Sequence, residues 1–294
     1  MSMSLEEMGQ KISSASRVGR VVHIMKLIAA SQIRKCEEAA LASQHYSDTV
    51  SSALFALLYK GHYAALKEES GPSNSAIAII FGTDQGLVGP FNDRIVEYAA
   101  PILQRYREKT IFVFGSRLKN RLEDLGLTIE KCYPSPSSVT SVASAIRGVL
   151  VDLEPLLLRN HDCELMLFHN HLSSGKKCEP VSTKMLPLDE SWKAKLALTS
   201  WPTHQMPQLV DKSEGTLEEV LKEYMLVTLA RTLAESMESE NISRLESMQR
   251  AEKNIEEVLT DLHIGFTLFR QSAIDAELFD VVAGFSALTN ELGT

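Results

Sequence analysis

Two groups of residues have types and spacings that could do chemistry. The first is the run Thr83-Asp84-Gln85-Gly86-Leu87-Val88-Gly89-Pro90-Phe91-Asn92, which follows the apolar stretch Ala76–Gly82. A glycine turn opening a helix is where anions bind in α/β folds, because backbone N–H groups converge there. Asp84 would stand at the C-terminal end of a strand, where α/β enzymes keep catalytic groups. The run is not GxGxxG, no GKS or GKT follows, and Asp84 has no partner base. Asp84, Gly86 and Gly89 therefore read as a structural turn. The second group is His161, Cys163, His169, His171 and Cys178. Strand alternation puts His169 and His171 on one face, which suits zinc. The spacings match no known finger or catalytic site, so surface or half-buried histidines and small core cysteines are the expectation. No GxSxG and no recognisable Ser/His/Asp set is present. The sequence thus predicts no catalytic residue, no bound metal and no cofactor.

The elements that would position these residues lie in a middle section, 72–212. Ala76–Gly82, Thr110–Gly115 and Glu164–His171 are short, apolar and rich in β-branched or aromatic residues, as strands are. A fourth strand is expected near Cys178–Leu188. Helical stretches fall between them at Gly89–Glu108, Ser116–Leu125 and Ser138–Leu158. Strands alternating with helices predict βαβ units and a mostly parallel, Rossmann-like sheet. A polar loop with Pro202 and Pro207 leads onward.

The flanking sections read as helices. In the first, residues 1–60, apolar or small residues recur in steps of three or four from Leu5 through Met8, Ile12, Ala15, Val18, Val22, Met25, Ala29, Ile33 and Cys36 to Ala40. That is one helical stripe, close to a heptad seam. Gly9 and Gly19 interrupt it, either to let a partner helix approach or as tolerated breaks. The last section, residues 214–294, has no proline and carries a stripe from Val220 to Leu288; Thr216 and Glu219 form a plausible capping box. A helix of ~75 residues would be ~110 Å long, too long for a globular domain, and its stripe must be covered. The N-terminal helix is the candidate, which predicts an antiparallel coiled coil of the two termini. The fold class is therefore α/β: a long coiled coil plus a central α/β domain.

Composition bounds the function classes. The chain has 294 residues, Lys+Arg 30 against Asp+Glu 38, a net charge of −8, 44% hydrophobic and 6% aromatic residues. This excludes collagen and wholesale disorder. Four cysteines without a CxxC fit a reducing compartment. No apolar run approaches the ~18 residues of a membrane span. The acidic balance argues against nucleic acid as a partner. Residues 1–60 hold 7 basic and 5 acidic side chains and residues 214–294 hold 6 basic and 16 acidic, so the two termini are opposite in sign. The polar, acidic start MSMSLEEMGQ resembles neither a signal peptide nor a transit peptide.

Several runs together resemble the gamma subunit of F-type ATP synthases. Ile24-Met25-Lys26-Leu27-Ile28-Ala29-Ala30-Ser31 resembles that family's AMKMVAAAKL, and Thr83–Asn92 resembles SDRGLCGGFN. Glu238–Met248 resembles ASEHAARMVAM, Arg270–Leu278 resembles RQAAITKEL, and Val282–Leu288 resembles a terminal VGGAAAL. The order is right across the whole chain. Gln85, Val88, Pro90, Phe266 and Thr267 differ from the family pattern, so the resemblance is to a divergent member, of the housekeeping or an alternative F-type ATPase.

The resemblance implies a rotor shaft that does no bond chemistry and binds no cofactor. It implies as partners the α and β subunits of the catalytic hexamer, the epsilon subunit and a membrane c-type ring. It places the chain peripherally on the cytoplasmic face of a bacterial or archaeal plasma membrane. Coupling contacts to the β subunits would fall at Met25, Lys26, Arg244, Arg270, Gln271, Asp275 and Glu277. Two rival readings remain: an α/β ligand-binding enzyme with a helical dimerisation arm, with its ligand near Asp84 and Gly86, or a coiled-coil adaptor with unrelated partners.

Overall fold

A computed structural model describes residues 5–59, 73–160, 163–173, 177–187 and 214–291, with side chains inside helices left undescribed at 55, 58–59, 214 and 284–291. The elements are α1 (Leu5–Tyr59), β1 (Ser75–Phe81), α2 (Phe91–Leu103), β2 (Glu108–Phe114), α3 (Ser116–Asp124), β3 (Lys131–Tyr133), α4 (Val142–Arg159), β4 (Glu164–Leu172), β5 (Cys178–Leu186) and α5 (Glu214–Glu291). The chain divides into two units: unit 1 is 1–28 with 245–294, and unit 2 is 29–244. α1 and α5 each contribute to both.

Unit 2 is built on a five-stranded sheet of order β3-β2-β1-β4-β5. β1 pairs in parallel with β2 and β4, β2 in parallel with β3, and β4 antiparallel with β5. Strand alternation divides the core between the two faces. Ile77, Ile79, Phe81, Phe112, Phe114, Leu165 and Leu167 pack with Ile146, Val149 and Leu153 of α4 and with Met225, Leu229, Leu233 and Met237 of α5. Ala78, Ile80, Ile111, Val113, Met166 and Phe168 pack on the opposite face with Ile95, Ala99 and Leu103 of α2 and Leu118 and Leu122 of α3. Both faces are covered, as a mostly parallel sheet requires, so the strands read as nearly continuous apolar runs.

Several boundaries differ from expectation. α2 begins at Phe91, not Gly89, because Leu87 and Gly89 have φ of 62° and 59°, outside the helical region. It ends at Leu103, because Arg107 and Glu108 donate their N–H groups to Asn74 O and so open the ladder of β2. β3 is unforeseen: at three residues it is too short to show alternation. α5 begins at Glu214, so Thr216 lies inside the first turn rather than at the cap. His161, Pro202 and Pro207 lie outside the described residues.

In each unit α1 and α5 run antiparallel. In unit 1, Met8 lies beside Gly265, Gly19 beside Ile255, and His23 and Lys26 beside Glu252. A Cβ on Gly19 would come within 3.3 Å of Ile255 Cγ2, whereas one on Gly9 would meet nothing within 4 Å. Gly19 is therefore a close approach and Gly9 a tolerated break. In unit 2, Tyr46 Oη donates to Glu223 Oε1 at 2.7 Å, and Leu54 packs against Leu217, Val220, Leu221 and Tyr224. The ion pairs at Glu252 join the basic N-terminal and acidic C-terminal sections, as their charge asymmetry predicts.

Candidate functional site

The loop after β1 is fastened by its own side chains. Thr83 donates its N–H to Asn92 Oδ1 at 3.2 Å, and Asn92 Nδ2 donates back to Thr83 Oγ1 at 3.0 Å. Asp84 accepts from two backbone groups, Ser116 N–H at 2.7 Å on Oδ1 and Ser135 N–H at 2.6 Å on Oδ2. One carboxylate thus ties the ends of β1, β2 and β3, and both its oxygens are engaged. Gly86 faces the Arg117 guanidinium, 3.0 Å from where a Cβ would sit. Gly115, at φ +98°, passes so close to the Thr83 backbone that a Cβ would come within 2.6 Å, so only glycine fits there. The loop is also held to α5: Ser243 Oγ donates to Val88 O at 2.7 Å. Asn170 Nδ2 on β4 donates to Phe91 O at 3.0 Å.

The histidines have a neighbour that the sequence did not reveal. His169 and His171 both point at Glu235 of α5. Cys163 is buried, and Cys178 is half-buried at the start of β5. Burial, with Glu238 and Glu240 nearby, pushes the Cys36 thiol up to about 11, so it is a packing group rather than a nucleophile.

The residues singled out by resemblance fall into two environments. In unit 2, Arg244 pairs with Glu240 at 2.6 Å, the two side chains being only 11% and 12% exposed. Burial raises the Glu240 carboxyl and Arg244 opposes that shift. In unit 1, Met25 and Lys26 are half-buried, and Lys26 Nζ donates to Glu252 Oε2 at 2.5 Å. Arg270, Gln271, Asp275 and Glu277 are exposed. At 100° per residue these four, with Ile274 and Leu278, share one face of α5. Exposed large hydrophobic residues occur at two separate levels of the helix pair. Leu268, Ile274, Leu278, Phe279 and Val281 of α5 are 53–71% exposed, and Ile24, Leu27 and Ile28 of α1 are each 56% exposed.

Known proteins share this sequence pattern and this fold. An ATP synthase gamma chain of a Sulfurovum species is 24% identical over 314 aligned residues, covering 97% of this chain and 99% of that one. One from a Nitratiruptor species is 25% identical over 297 residues, with the same coverage. The family model described as ATP synthase matches residues 4–288. The chain belongs to the ATP synthase gamma family. Members of this family are the gamma subunits, the central rotor stalk of F-type ATP synthases. The fold agrees. A chain of the Euglena gracilis mitochondrial ATP synthase, solved as OSCP/F1/c-ring in rotational state 3, superposes with a TM-score of 0.68 at 15% identity, over 97% of this chain and 94% of that one. A chain of the Tetrahymena thermophila enzyme's central stalk and c-ring gives 0.56 at 18% identity, over 79% of this chain and 99% of that one.

Proposed function

We propose that this gamma-family chain is the turning shaft of an F-type ATP synthase. Unit 1 bears on the α and β subunits of the catalytic hexamer, and the remaining partners are the epsilon subunit and the membrane c-type ring. The complex sits peripherally on the cytoplasmic face of a bacterial or archaeal plasma membrane, a reading favoured by the bacterial sources of the similar gamma chains. The observation that carries the proposal is the wet apolar surface of unit 1. Large hydrophobic side chains left in water gain from being covered, and those clustered at 268–281 of α5 suit a docking site. α5 itself is 78 residues long.

Met25, Lys26, Arg244, Arg270, Gln271, Asp275 and Glu277 carry the coupling contacts. Arg270 pairs with a β-subunit carboxylate, and Gln271 hydrogen-bonds a β-subunit loop. Asp275 and Glu277 add acceptors to the same face. Lys26 and Arg244 take part by partner exchange, since each begins in an ion pair, with Glu252 and Glu240. A shaft drives its sleeve only if the sleeve's states interact differently with it. An uneven face of charges among apolar residues provides that difference. The segments that pair within the chain keep the shaft from twisting apart.

The test is reconstitution of the full chain with α and β subunits. A stable complex with ATP hydrolysis, and rotation of a bead fixed to the chain, is the expected result. Failure to associate with α and β subunits that assemble with a known gamma chain would overturn the proposal.

A further inference from the structure

We infer that His169, His171 and Glu235 form a site for a zinc-class divalent cation that clasps α5 to the sheet of unit 2. Alternation along β4 sets the two imidazoles side by side, with ring centroids 6.2 Å apart. α5 brings the carboxylate to both: Glu235 Oε2 is 3.2 Å from His169 Nε2 and 3.4 Å from His171 Nδ1. All three ligand atoms lie within 4.8 Å of one another. A tetrahedral zinc with bonds of about 2.0–2.2 Å holds its ligand atoms about 3.3–3.6 Å apart; the 3.4 Å edge falls in that range and the 3.2 Å edge just short of it. Hydrogen bonding accounts for the arrangement less well. At 3.4 Å the His171 contact is long for an N–H···O bond, whereas His169 lies within hydrogen-bonding distance of the same oxygen at 3.2 Å.

The surroundings suit a cation. Arg231 Nε donates to the other carboxylate oxygen, Oε1, at 2.7 Å and leaves Oε2 facing the rings, as the groups behind metal ligands do. His169 Nδ1 is buried without a partner, and it is the nitrogen that carries the ring proton when Nε2 holds the ion. The His171 side chain is 47% exposed and provides both an entry path and an open fourth position for water. Two imidazoles and one carboxylate favour zinc-like ions over magnesium or calcium, which take oxygen ligands.

Calorimetric titration of the chelator-stripped full chain with zinc tests the site. The expected result is one zinc per chain, a rise in the unfolding temperature with zinc but not with magnesium, and affinity at least tenfold weaker in His171→Ala and in Glu235→Gln. His171 is exposed, so its removal leaves the core intact. His23→Ala, in unit 1, keeps the wild-type affinity. Absence of saturable zinc uptake would overturn the inference. So would uptake undiminished in both site variants, or lost equally in His23→Ala.

Discussion

The sheet of unit 2 and the helix pair of unit 1 use apolar residues in opposite ways. In β1, Ile77 through Phe81 are each at most 2% exposed. On α5 in unit 1, Leu278, Phe279 and Val281 are 61%, 71% and 70% exposed. Burial is worth about 25 cal/mol per Å² of apolar surface, so β1 already has its stabilisation, whereas these residues of α5 have theirs still to gain. The difference is the one the proposed function requires: strands already buried within the chain, and a helix segment whose apolar residues a partner would cover.

The sharpest way to break that contrast is to remove one aromatic from each. Phe114 stacks between Phe81 and Tyr133, with ring centroids 5.1 and 5.3 Å away. Phe114→Ala is expected to cost about 3–5 kcal/mol in urea unfolding of the full chain. Phe279→Ser, on the exposed tip, is expected to stay within about 0.5 kcal/mol. Equal losses would show that unit 1 has a core of its own.

Glu235 carries the next largest effect. Its carboxyl ordinarily titrates at 4.5 and is held at about 2 in the folded chain. A folded pKa below the unfolded one stabilises at neutral pH, and that stabilisation is lost as pH falls from about 4.5 towards 2. The full shift bounds the contribution at about 3 kcal/mol. Glu235→Gln is therefore expected to destabilise at pH 7 by up to that amount and to flatten the acid limb of the stability curve. Asp84→Ala follows. It strips the acceptor from two backbone N–H groups and is expected to cost about 1–3 kcal/mol, with ATP hydrolysis by the assembled enzyme unchanged. A loss of hydrolysis at intact stability would return Asp84 to the list of chemical groups.

In unit 1 the matching carboxylate is Glu252, lowered by hydrogen bonds from Lys26 and His23. The sign is the same as for Glu235, with stabilisation present at neutral pH and lost in acid. The setting is wetter, so Glu252→Gln is expected to change the acid limb less than Glu235→Gln does. An equal change would mean that the ion pair is sealed from water as Glu235 is.

What could be read in the sequence follows the range of the forces involved. β1, β2 and β4 were legible because both faces of the sheet are covered there and the strands become apolar runs, whereas β5, at the end of the sheet, is only half-buried. The two terminal helices were legible because a long stripe must be matched by another. β3 was hidden because Lys131–Tyr133 is placed by its neighbour Phe112–Phe114 rather than by its own pattern. The role of Asp84 was hidden because its partners, Ser116 and Ser135, lie on other loops. Glu235 was missed as the third member of the histidine group because only the fold brings α5 to β4. The internal pairings of Lys26 and Arg244 were equally silent, since a lone basic residue on a helix looks the same paired or free.

The variants with the smallest expected effect on stability test the contrast most directly. Arg270→Ala and Gln271→Leu change exposed side chains on α5, so unfolding should move by no more than about 0.5 kcal/mol. If the tip is half of an interface, the same changes must register when the other half is present. ATP synthesis by membranes carrying the double variant is expected to fall, while the complex still assembles. Hydrolysis measured beside synthesis separates weakened coupling from lost assembly, because a loose shaft lets the catalytic sites turn over without delivering torque. Normal synthesis with both substitutions would place the working contacts elsewhere on the exposed surface, with Ile274 and Leu278 on the same face as the next residues to change.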